Sequence, residues 1–141
     1  MDIVAIQCLS ARNYAMLKYI YPRIDPNDRI ELINLAAFIG NLDIFRYLLT
    51  YNDDLYEWYQ SFLHSAILGK SYSVIRYLMD RINPNRNNLM LCVVQGDVCL
   101  LELILNNMTV TDNLLMYMIE QAENIEMIKF LQAYERKRLG N

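Results

Sequence analysis

The side chains that could carry chemistry in this 141-residue sequence are few and scattered. His64 is the only histidine. General-base work needs an acid or nucleophile within hydrogen-bond reach, and a metal site needs three or four ligands. The sequence supplies no such set around His64. Cys8, Cys92 and Cys99 are odd in number and at no metal-ligand spacing, as expected of reduced thiols in the cytoplasm. Asp53-Asp54 with Glu57 lacks the turn glycine and terminal glutamate of a calcium loop, and reads as a solvated acidic loop. Arg136-Lys137-Arg138 closes the last helical pattern, where the helix dipole favours cations, and Gly140 is placed to follow the helix end. No glycine-rich phosphate loop, nucleophile elbow or paired carboxylate motif is present. The expectation is a chain that is not an enzyme and takes no cofactor or metal.

The aromatic stretch Tyr51, Tyr56, Trp58, Tyr59 carries more functional weight. Exposed on a rigid scaffold, tyrosine and tryptophan dominate binding hot spots. The alternative is that Leu55, Trp58 and Tyr59 fold back over the gap between neighbouring elements. The expected partner-binding residues are Tyr56, Trp58 and Tyr59, with Arg23 and Arg81 on neighbouring loops as charge partners.

Composition sets the frame for these residues. Hydrophobic residues make up 55% and charged residues 21%, so the chain can bury a core. Gly (4) and Pro (3) are scarce, which favours helices over a turn-rich β fold. A formal charge of −3 weighs against general nucleic-acid binding. The first residues, MDIVAIQCLSAR, lack the basic segment and the apolar length of a signal peptide or a membrane span. The expectations are no nucleic acid, no membrane and a cytoplasmic location.

Internal repetition decides the architecture. Residues 33–49, INLAAFIGNLDIFRYLL, read as two short amphipathic helices joined at Gly40-Asn41. Residues 63–79 repeat them about 30 positions later without a gap: Asn34 falls on His64, Ala36 on Ala66, Arg46 on Arg76 and Tyr47 on Tyr77. Lys18-Tyr19-Ile20 answers Arg46-Tyr47-Leu48, and Gly96-Asp97 stands where Gly40-Asn41 stood. Cys8 and Cys92 take the small-residue position of Ala36, which gives them a packing role. Glu123-Asn124 marks a fifth turn. Turn-to-turn spacings are about 28, 30, 26 and 27 residues, giving five units at about 1–28, 29–58, 59–86, 87–112 and 113–141 in a single domain over 1–141. Asp28 with Glu31 is a candidate capping box, and Asp112 or Asn113 a candidate cap for the last unit.

LAAFIGNLDIFRYLL and Leu63-His64-Ser65-Ala66 resemble ankyrin repeats. The period is shorter than the family's roughly 33 residues. The glycine and alanine that open the family's hairpins are absent after Leu49, Met79 and Leu105. The resemblance implies an all-α, ankyrin-like solenoid of about five stacked helix-turn-helix units with short or missing hairpins. It implies a non-enzymatic protein–protein interaction module for a protein partner, and a His64 that braces neighbouring repeats by hydrogen bonds. Degenerate arrays rich in Ile, Asn and Tyr look like those of large DNA viruses and some intracellular bacteria, which implies a modulator of a host protein in the host cytoplasm. The alternative is a self-assembling structural component, a homo-oligomer, built on the apolar outer face Ile3, Val4 and Ile6.

Overall fold

The computed structural model describes residues 2–51 and 55–140. Among these the chain is all-α, with ten α-helices and no strand. The helices are α1 (Ile3–Ser10), α2 (Tyr14–Ile20), α3 (Pro26–Ile39), α4 (Leu42–Thr50) and α5 (Tyr59–Leu68), then α6 (Tyr72–Met79), α7 (Arg86–Gln95), α8 (Val98–Leu105), α9 (Asp112–Gln121) and α10 (Ile125–Leu139). Short 3-10 turns lie at Tyr21–Arg23 and Tyr56–Trp58. The acidic pair Asp53-Asp54 falls outside the described residues.

The helices are mostly 7–10 residues long, too short to persist alone in water. Each finds its stability in a partner. Consecutive helices pack as pairs, α1 with α2 through α9 with α10. The chain divides into two compact units, Met1–Ile82 and Asn83–Asn141. In the first, α3 packs between α1 and α5, while α4 packs on α6. In the second, α7 packs on α9 and α8 on α10. Within each unit, first helices lie against first helices and second against second.

The turns explain why one sequence pattern gives this pairing repeatedly. Asn13, Asn41, Asp97 and Asn124 each begin a second helix, and each side-chain oxygen accepts the N–H three residues on. Such a cap contributes about 1 kcal/mol. The residue before the cap is left-handed in four turns: Arg12 (φ 61°), Gly40 (φ 91°), Lys70 (φ 54°) and Gly96 (φ 73°). The N–H groups of Asn13, Ser71 and Asp97 donate back to the carbonyls of Cys8, Ala66 and Cys92. One residue thus closes the first helix and opens the second. Cys8, Ala36, Ala66 and Cys92, at that shared position, are all buried.

Two caps differ from those read in the sequence, whereas Gly140 follows the end of the last helix as its position predicts. Asp25, not Asp28, caps α3, because Pro26 at the first helical position needs no amide partner there. Thr111, not Asp112 or Asn113, caps α9 through its hydroxyl. Gly140 closes α10 in a right-handed conformation (φ −81°).

Candidate functional site

The 3-10 turn Tyr56–Trp58 delivers the aromatic cluster. The Trp58 N–H donates to the Leu55 carbonyl at 2.8 Å, which tightens the backbone before α5 begins. Tyr56 is 58% exposed and Trp58 41%, while Tyr59 is half-buried. Tyr59 is fixed between two rings, with its centroid 5.5 Å from Tyr56 and 6.1 Å from Phe62. Phe62 is fully buried and meets Phe45 edge-on at 6.0 Å, so the exposed rings are chained to the core. Of the two sequence alternatives, the cluster realises parts of both. Tyr59 packs, whereas Tyr56 and Trp58 present surface. Tyr51 belongs elsewhere: it caps α4 and packs edge-on against buried Tyr21 at 5.6 Å.

Trp58 and Leu55 form one wall of an open groove of about 580 Å³. The N-terminal half of α3 forms the other wall, through Asn27, Ile30, Glu31 and Asn34. Ile30, Leu55 and Trp58 make part of this lining apolar, and Glu31 adds one exposed carboxylate. Asn34 holds the walls in register. Its Oδ1 accepts from Ser61 Oγ at 3.1 Å and from Ser65 Oγ at 2.9 Å, both reaching across from α5. The bracing role expected of His64 therefore falls to the residue at the matching position of the preceding unit. His64 itself is exposed on α5.

Arg23 and Arg81 are not among the groove's walls. Each folds back on the helix it follows. Arg23 Nη1 donates to the Tyr19 carbonyl, with the guanidinium 4.5 Å over the Tyr19 ring. Arg81 Nη1 donates to the Tyr77 carbonyl at 2.8 Å, with its guanidinium 3.6 Å over the Tyr77 ring. Both satisfy a carbonyl at a helix end, where a cation is also favoured by the dipole.

These two arginines belong to a larger arrangement that the periodicity contained but did not reveal. Lys18 Nζ sits 5.0 Å over the Tyr47 ring, and the Arg46 guanidinium 5.6 Å over Tyr77. Lys18 and Arg46 thus each cover the tyrosine of the next second helix. The recurring dipeptides Lys18-Tyr19, Arg46-Tyr47 and Arg76-Tyr77 were the available signal.

The thiols divide by burial. Cys99 is exposed, while Cys8 and Cys92 are buried. Burial first, and then the negative charge of Asp97, push the Cys92 thiol up to about 12. Cys92 is thus a packing group, consistent with its small-residue position. Among the described residues, no group of three or more His, Cys, Asp or Glu side chains is arranged to hold a metal, and no helix is long and apolar enough to cross a membrane. Arg138 at the end of α10 pairs with Asp112 at 3.1 Å.

Neither the family models, nor the curated proteins, nor the solved structures compared with this chain gave a match.

Proposed function

We propose that the chain is a non-enzymatic protein-interaction module, its five helix pairs of ankyrin-like solenoid type, that binds a protein partner through the turn at Tyr56–Trp58. The observation that supports this most is the exposure of Tyr56 and Trp58 beside an apolar groove, on a turn anchored through Tyr59 and Phe62 to the core. Large aromatic side chains with few rotatable bonds lose little entropy when a partner covers them. The groove suits an apolar side chain, with a neighbouring cation or amide facing Glu31. Affinity capture with the wild-type chain and a Trp58→Ala variant tests this. The variant should retain its helix content and melting temperature and lose capture of the partner by at least about tenfold.

A second reading is self-assembly. It is favoured by Ile3 and Val4 on α1, exposed at 68% and 55%, with Met16 exposed on α2. Sedimentation at two concentrations separates the readings, since a strict monomer removes the second.

A further inference from the structure

The exposed cations of the first unit are not evenly spread. Helices α2, α4 and α6 carry Lys18, Arg46 and Arg76 at matching positions, and Arg23 and Arg81 follow the ends of α2 and α6. All five are exposed, and among the described residues none is held in an ion pair. The same three helices contain a single acid, Asp43, although the whole chain carries a net charge of −3. Charge is therefore segregated onto this face.

The cation–tyrosine contacts make the face continuous. The Tyr47 hydroxyl donates to the Lys18 carbonyl at 3.4 Å, so α4 is tied to α2 where Lys18 covers the Tyr47 ring. Arg46 bridges in the same way from α4 to Tyr77 on α6. The Arg46 guanidinium is held in place by the Tyr77 ring with its in-plane N–H donors available to a planar acceptor, while Arg23 and Arg81 each spend one donor on a helix-end carbonyl and keep the others. That geometry matches bidentate recognition of carboxylates.

We propose that the face formed by α2, α4 and α6 docks an acidic, extended segment of a partner protein. The proposal rests on the interaction-module reading and adds the partner's chemistry at a second surface. A single-stranded nucleic acid is the competing occupant of any basic face. It is disfavoured here because the tyrosine rings that would stack bases are covered by the cations themselves. Asp43, exposed on α4, also interrupts the path of a phosphate backbone.

The test uses the full chain, with a short fluorescein-labelled poly-glutamate peptide and a labelled oligouridylate of matched charge, read by anisotropy. The peptide should bind, with affinity falling as salt rises. Arg46→Glu/Arg76→Glu should weaken it by at least about tenfold, because two attractions become repulsions. Circular dichroism should show the variant's helix content unchanged. A control reversal in the second unit, Lys129→Glu/Arg136→Glu, should leave peptide binding within about twofold. The proposal is overturned if the peptide does not bind, if oligouridylate binds as tightly, or if both reversals weaken the peptide equally. The test also keeps the two readings separate. Trp58-dependent capture without peptide binding removes only this proposal. Peptide binding that depends on Arg46 and Arg76, with capture indifferent to Trp58, removes only the aromatic-turn reading.

Discussion

The Ser71 hydroxyl donates a 2.9 Å hydrogen bond to the carbonyl of Phe38, joining the turn before α6 to the end of α3. The other second helices are capped by the side chain of the equivalent residue, whereas Ser71 turns its oxygen toward the neighbouring pair. The approach is close on both sides. A Cβ on Gly69 would come within 2.0 Å of the Phe38 oxygen, and one on Gly40 within 2.6 Å of Ser71 Oγ. Ser71→Ala should cost about 1 kcal/mol, the worth of one partly buried hydrogen bond. Gly69→Ala should cost more, about 1–3 kcal/mol, because backbone must move. Denaturant melts of the two variants check the order.

Lys70 occupies a left-handed position that Gly40 and Gly96 fill in other turns. A side chain there costs about 1–2 kcal/mol, partly offset by the larger chain entropy that glycine loses on folding. Lys70→Gly should therefore raise stability by about 0.5–1 kcal/mol, seen as a higher denaturant midpoint with an unchanged slope. The adjacent Gly69 does not serve this purpose, since it is right-handed (φ −86°) and its value is the space it leaves for Phe38.

The five-turn register was legible in the sequence because the turns concentrate local requirements: a left-handed residue in four of them, and a capping side chain at Asn13, Asn41, Asp97 and Asn124. Local requirements leave local signals, and Asn13, Asn41, Ser71, Asp97 and Asn124 all sit where the spacing put them. Competition between neighbouring caps was less legible. Asp25 prevails over Asp28 because Pro26 fixes where the helix starts, and Thr111 prevails over Asp112. The candidate site was legible in composition only. Whether Trp58 is exposed depends on how α5 lies against α3, a tertiary fact with no period. Arg23 and Arg81 read in the sequence as loop charges, but their environment is the tyrosine four residues before each. The Asn34–Ser61–Ser65 brace stayed hidden because the resemblance pointed to the histidine of the next unit instead.

Cys92 links burial to alkaline stability. Its folded value near 12 lies above the 9.0 of an ordinary thiol, which serves for the unfolded chain. Below about pH 9 both states hold the proton, and the thiol's contribution is fully present. Between about 9 and 12 only the unfolded chain releases it, so stability falls as pH rises through this window. Cys92→Ala should flatten the decline by up to roughly 1.4 kcal/mol per pH unit relative to wild type. Urea melts of both proteins across the window give the difference directly, in which the tyrosines and lysines common to both cancel.

Trp58 is the only tryptophan in the chain, so its fluorescence reports on the proposed binding turn without labelling. In the free protein its emission should resemble that of a partly solvated indole and be readily quenched by acrylamide. When the captured partner is titrated in, the emission should move to the blue and the quenching should fall, saturating with the binding curve measured independently by sedimentation. A partner that saturates the chain while the emission and quenching of Trp58 stay unchanged would contradict the claim that this turn is where the protein binds.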